Sequence, residues 1–239
     1  MESIKVYNIA SAQGFLSSRN NTNTKLLIHA GEADTTAGTD IIDSSASAHT
    51  ITAAGDAQVD TDQAKFGTGS VLFDGTGDYL TIPDHADFDL SGGIFTIDFW
   101  VRTTIGTIQT IYCQYTDASN RMVVGINALG AVYAQVVTGG SATVTLQSDT
   151  GAIVNSKWSH VAVVENGNSW YLSAGGVLVD SGTDTDRALN YTSSVYIGTY
   201  YNGATYSSPF AGHLDEIRVV NGEAMFPTGV FTPPLFQYV

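Results

Sequence analysis

Apolar residues recur at every second position over short runs of this chain. Val71 and Phe73 are spaced by two, Leu80 and Ile82 repeat the spacing after a Gly75 to Asp78 turn, and Phe95, Ile97, Phe99 and Val101 alternate with Thr96, Asp98, Trp100 and Arg102. Successive side chains of a strand point to opposite faces, so this period predicts strands with one buried face. Residues 26–29 form a further strand. Residues 122–124, 132–137 and 143–147 form a meander, with turns at 128–130 and at Gly139-Gly140. The expected chain is all-β.

Composition sharpens that picture. A chain of 239 residues, 43% of them apolar, buries one substantial core, which predicts one main domain. Eighteen of the 23 acidic residues are Asp, a turn residue, and only five are Glu. The formal charge of −14 and the absence of any basic run argue against nucleic acid and give no attraction to an anionic membrane. The acidity serves either solubility or calcium, which takes loop carboxylates and carbonyls. Cys113 stands alone, so no intrachain disulfide forms, and it reads as a small apolar strand residue.

The motifs occur in an order that resembles the laminin G-like, concanavalin A-like jelly-roll superfamily. Residues 66–102 carry the central strands. Trp158-Ser-His160-Val-Ala resembles the W-x-H-V-A strand, Trp170-Tyr-Leu172 with Gly175-Gly176 the next hairpin, and Val195-Tyr-Ile-Gly198 the Y-I-G strand. Phe210 to Val219 resembles F-x-G-x-L-D-E-I-R-V, and Asp43, Ser44, Ser45 and His49 follow the D-x-S-G-x-x-H-T loop, with Ala46 in place of its glycine. The resemblance implies a two-sheet antiparallel jelly-roll sandwich over residues 25–233, with a short N-terminal arm, 1–24, and a C-terminal strap, 234–239. It is the branch found in phage structural proteins and bacterial surface proteins. Residues 1–24 show no secretory leader pattern. The expectation is therefore a phage virion protein, of the head-decoration, head-fibre or tail-fibre kind, assembled in the host cytoplasm and released by lysis. Its partners would be capsid or fibre subunits, with a homo-oligomer on the particle and host or environmental glycans as ligands. A bacterial surface adhesin or carbohydrate-binding module is the alternative.

The candidate chemistry is binding. The paired-carboxylate pattern E-x-D-x-x-E of the family's glycosidases, a G-x-S-x-G elbow and HExxH are all absent, so no enzyme is expected. Sugar binding needs aromatic rings beside polar side chains. Tyr200, Tyr201, Asn202 and Tyr206 supply them in one Gly/Ala/Ser-bearing loop, and Trp100 offers a second ring on the outward face of its strand. The alternation of Asp215 with Ile217 and Val219 places Asp215 at the inner edge of the sandwich. There it is satisfied either by hydrogen bonds or by structural calcium shared with Asp74 or Asp78 and carbonyls of the 31–45 loop. Glu216 and Arg218 are expected as a surface ion pair. The arm is either an anchor that orders on a partner or a frayed end. The apolar segment 235–239 either packs back or meets another chain.

Overall fold

The computed structural model describes residues 21–30, 41–184 and 188–238. Among them the elements run β1 Thr24–His29, β2 Ile42–Asp43, β3 Thr52–Ala54, β4 Gln58–Asp60, β5 Ser70–Asp74 and β6 Tyr79–Ile82, then 3-10 turns at Ala86–Phe88 and Leu90–Gly92. They continue with β7 Ile94–Thr103, β8 Gln109–Asp117, β9 Asn120–Ile126, β10 Val132–Thr138, β11 Ser141–Gln147, β12 Ser159–Asn166, β13 Ser169–Ala174 and β14 Val177–Thr183. The last four are β15 Val195–Ile197, β16 Tyr200–Tyr201, β17 Tyr206–Ser207 and β18 Ala211–Asn221. Two antiparallel sheets face each other as a jelly-roll sandwich. The back sheet has the order β14-β13-β12-β7-β18-β1-β2, with β5 and then β4 beside the first part of β18. The front sheet has the order β11-β10-β9-β8-β15-β6-β3.

The alternation read from the sequence fills the space between them. Phe95, Ile97, Phe99 and Val101 of β7 join Leu26, Ile28, Val161 and Val163 on one side. Leu80, Ile82, Met122, Val124, Val195 and Ile197 meet them from the other, all buried. Burying such side chains stabilises the fold by roughly 1.5–3 kcal/mol each before conformational entropy is counted.

On β18 the expected phase is corrected. Asp215 stands opposite Trp100 and Arg218 opposite Asp98, so three steps along β18 match two along β7. The surplus residue is Glu216, with φ of 52°. This β-bulge resets the alternation. Leu214, Ile217 and Val219 point into the core, while Asp215 and Arg218 lie on the outer face of the back sheet. Asp215 is therefore not at the inner edge of the sandwich. Its carboxylate accepts from the backbone N–H of Lys65 (3.1 Å), Phe66 (3.1 Å) and Glu216 (2.9 Å).

Arg218 and Glu216 are not a surface pair either. Arg218 is fully buried and grips Asp98 with two parallel hydrogen bonds, Nε to Oδ1 at 2.9 Å and Nη2 to Oδ2 at 3.1 Å. Glu216 turns to His29 Nδ1 at 2.7 Å and accepts from the Tyr238 backbone N–H at 2.6 Å. The strap shuts the pair in. The Tyr238 ring lies under the Arg218 guanidinium at 3.8 Å, and its hydroxyl donates to Asp98. His160 Nε2 is 3.1 Å from both Asp98 and that hydroxyl. Burial alone would raise the Asp98 pKa, but Arg218 and His160 outweigh it and hold the carboxyl below its ordinary range. Burial pushes His160 down, which keeps the ring neutral.

The strap reaches this position along an apolar seam. Phe226 and Phe231 stack at 3.7 Å over Ala162 and Val164, and Phe231 N–H bonds to the Gly176 carbonyl at 3.0 Å. A Cβ at Gly176 would lie 2.2 Å from the Phe231 oxygen, so only glycine lets the strap pass. Segment 235–238 thus packs back on its own domain at Tyr238, leaving Leu235 and Phe236 outside. At the other end, residues 1–20 of the expected arm lie outside the described residues. Residues 21–24 are part of the domain: Thr24 pairs with Val220, and the Asn21 and Asn23 amides donate to Glu223.

Replacing Arg218 by Met should cost about 3–5 kcal/mol in urea denaturation, because Asp98 is left buried without its counter-charge. A loss under about 1 kcal/mol would show that Asp98 is satisfied without the guanidinium. Asp215 gives a pH signature. Burial, and then the Glu216 charge, push its carboxyl from 3.8 up to about 7 against the three N–H donors. Between those values the folded state holds a proton that the unfolded chain has released, so stability falls as pH rises from about 4 to about 7 and then levels. Asp215→Asn should therefore gain on the parent at pH 8 relative to pH 5 in paired denaturation curves. A difference independent of pH would contradict this.

Candidate functional site

The tyrosine loop forms a hairpin on the open face of the front sheet. Asn202 Oδ1 accepts from the backbone N–H of Ala204 (3.1 Å) and Thr205 (2.8 Å), and Gly203 takes φ of 86°. This side-chain turn sets the β16–β17 register, Tyr200 against Ser207 and Tyr201 against Tyr206. Thr110 N–H bonds to the Ser208 carbonyl at 2.9 Å and the Cys113 thiol points to the Tyr201 carbonyl at 3.7 Å, which fastens the hairpin over β8.

Four rings come together there. Tyr206 stacks on Tyr79 of β6 at 4.6 Å, Tyr201 lies 4.9 Å from Tyr206, and Tyr196 of β15 lies 4.7 Å from Tyr201. Tyr206 is 48% exposed. A hydrogen bond with Tyr206, followed by burial, pushes the Tyr79 hydroxyl up to about 12, and burial does the same for Tyr196. The patch is edged with tyrosine hydroxyls. Tyr200 turns the other way, edge-on to Tyr115 at 6.1 Å. It borders a groove of about 190 Å³ with Thr110, Arg121, Val123, Tyr133, Gln135 and Ser208. Gly125 makes room for Tyr133: a Cβ there would lie 2.6 Å from the Tyr133 hydroxyl oxygen. Arg121 is the cation of the groove lining, its Nη1 donating to the Ala118 carbonyl.

The structure brings together Tyr201 and Tyr206 of the expected residues, sends Tyr200 to the neighbouring groove, and commits the Asn202 carbonyl oxygen to the turn. Trp100 does not join them. It lies on the back sheet, 6% exposed, against Phe66 (5.8 Å), His160 (5.2 Å) and the Lys65 ammonium (3.8 Å). The outward face of β7 is covered, so Trp100 offers no platform. Tyr196 opens the stretch that the sequence marks for a sugar site, whereas Tyr79, Tyr133, Arg121 and Gln135 were not singled out. Tyr196 sits between buried Val195 and Ile197, and Tyr79 precedes buried Leu80, so both occupy the outward phase of their strands. Large rings at outward positions were the available signal.

The expected calcium set does not converge. Asp74 pairs with Ala211, four residues along β18 from Asp215, a separation of roughly 13 Å. Asp78 accepts from the Asp56 N–H (2.6 Å) and the Asp74 N–H (2.8 Å), and Asp74 accepts from Thr76 N–H (2.6 Å). Residues 31–40 of the loop lie outside the described residues. Its visible end is closed by Asp43, which takes the N–H groups of Leu27, Ser45 and His49. Among the described residues, the group of His, Cys, Asp and Glu side chains with metal-ligand spacing is His49, His85 and Asp87, elsewhere on the domain. The strand doublet Asp215 and Glu216 is buried, at 2% and 1% exposed, and neither carboxylate faces an open cleft.

No curated protein matches the sequence. Several solved structures share the architecture. The binding domain of Paraclostridial Mosquitocidal Protein 1 superposes with a TM-score of 0.68 at 11% identity, over 87% of this chain and 50% of that one. The botulinum neurotoxin serotype C1 binding domain gives 0.63 at 14%, over 84% and 49%. Domain 4 of AbnA, a GH43 extracellular arabinanase from Geobacillus stearothermophilus solved in complex with arabinotriose, gives 0.59 at 17%, over 78% and 91%. The chain spans about half the length of the two toxin domains. At these identities the likeness establishes the fold. The family model described as the concanavalin A-like lectin/glucanases superfamily, of laminin G type, matches residues 74–226, well over half of the sequence. With the motif order and the two-sheet topology, this chain belongs to the concanavalin A-like lectin/glucanases superfamily.

Proposed function

We propose that this protein is a non-enzymatic glycan-binding module whose site is the tyrosine patch and the adjoining groove of the front sheet. The observation that carries this reading is the contiguous set Tyr79, Tyr196, Tyr201 and Tyr206, left partly open where the hairpin packs on the sheet. The apolar C–H face of a pyranose stacks on such rings, and its hydroxyls require nearby polar groups. Tyrosine hydroxyls, Arg121, Gln135, Thr110 and Ser208 stand within the same patch and groove. The similarity in fold to an arabinanase domain solved with arabinotriose supports the choice of a sugar as ligand.

The finer setting is a phage particle, with the module displayed on a head or fibre. It is supported by the resemblance of the motif series to phage structural proteins, and mass spectrometry of purified particles tests it. Arrayed glycans, followed by calorimetry on the best ligand, test the site itself. The double change Tyr201→Ala/Tyr206→Ala should weaken binding at least tenfold, about 1.4 kcal/mol, while moving the melting temperature by only a few degrees. Tyr200→Ala should weaken it through the groove. Full binding by both variants would place the ligand on another face.

A further inference from the structure

Two imidazoles and a carboxylate meet at the edge of the domain, between the turn that follows β2 and the first 3-10 turn. His49 Nε2 lies 3.0 Å from Asp87 Oδ2, His85 Nδ1 lies 3.4 Å from the same oxygen, and the three ligand atoms all fall within 4.8 Å of one another. Tetrahedral zinc, with bonds of about 2.0–2.2 Å, sets its ligand atoms about 3.3–3.6 Å apart. We propose that His49, His85 and Asp87 bind a divalent transition metal of the zinc type, with a fourth position open to water or to a group from a partner. Two nitrogen donors favour zinc, nickel or copper over calcium and magnesium, which take oxygen.

The surroundings suit such a site. Asp87 is fixed from behind: its backbone carbonyl and that of Asp89 accept from the Asn221 amide at 3.1 and 2.8 Å, and Ser47 Oγ donates to Oδ2 at 2.6 Å. His49 is held by its N–H to Asp43 at 2.8 Å and by its ring against buried Phe88 at 4.8 Å. These contacts orient the two inner ligands before any ion arrives. His85 is the movable one, its side chain 55% exposed, so its ring can close the last distance without repacking the core. When the ion enters, His49 moves its Nε2 proton to Nδ1 or releases it, His85 Nδ1 gives up the bond from Asp87 N–H that it accepts at 3.1 Å, and Lys25, 3.8 Å from Oδ1, yields to the stronger cation. The metal would pin the 43–49 turn to the 86–89 turn.

The test is calorimetric titration of the chelator-treated full chain with zinc chloride, beside melting curves with and without zinc. The expected result is one equivalent bound and a raised melting temperature, since an ion held only by the folded state stabilises it. His85→Ala, at an exposed position, and Asp87→Asn should each weaken binding at least tenfold and abolish the zinc-dependent rise. X-ray absorption at the zinc edge should count two imidazoles. Absence of saturable zinc binding to the parent would overturn the proposal, as would His85→Ala binding zinc as tightly as the parent.

Discussion

The Asp98–Arg218 pair is the interaction on which the back of this molecule depends. Both groups sit on the outer face of a sheet, where solvent would normally meet them, yet both are fully buried. Two charges taken out of water cost several kcal/mol each unless the geometry and the remaining hydrogen bonds compensate. The parallel Arg–carboxylate contact, the Tyr238 hydroxyl and the neutral His160 ring supply that compensation. The bulge at Glu216 makes the contact possible, because it brings Arg218 opposite Asp98 and frees Glu216 to hold the Tyr238 backbone. One irregular residue thus links strand register, a buried ion pair and the docking of the chain end.

The consequence is a two-faced sandwich. The back sheet is closed by the strap, by the Phe226–Phe231 stack and by the Lys65–Phe66 segment over Trp100. On the front sheet, among the described residues, the β16–β17 hairpin lies over β8 and adds rings rather than hiding them. Aromatic side chains are abundant on both faces. What separates a buried Trp100 from a half-exposed Tyr206 is the covering chain, not the residue type.

Much of this was legible beforehand. Alternation in residues 95–101 identified β7 and its buried side, because a period of two has one structural meaning when one face is apolar. The Gly139-Gly140 turn and the meander around it followed from the same logic, and so did the placement of Tyr200, Tyr201 and Tyr206 in one loop. Motif order was sufficient for the superfamily.

The failures share a cause. A period of two carries no information about an inserted residue, so the alternation placed Asp215 on the inner face, where the bulge at Glu216 does not leave it. Nor does a strand pattern say whether its polar face meets water or another segment, which is why Trp100 looked like a platform and Arg218 like a surface charge. The joining of Tyr79, Tyr196 and the hairpin, and of His49 with His85 and Asp87, depends on elements brought together from different parts of the chain. Local spacing determined the strands and the family of this protein; which side chains share a site was decided by sheet register and by the segments that cover each face, because those contacts are set by packing between distant parts of the chain.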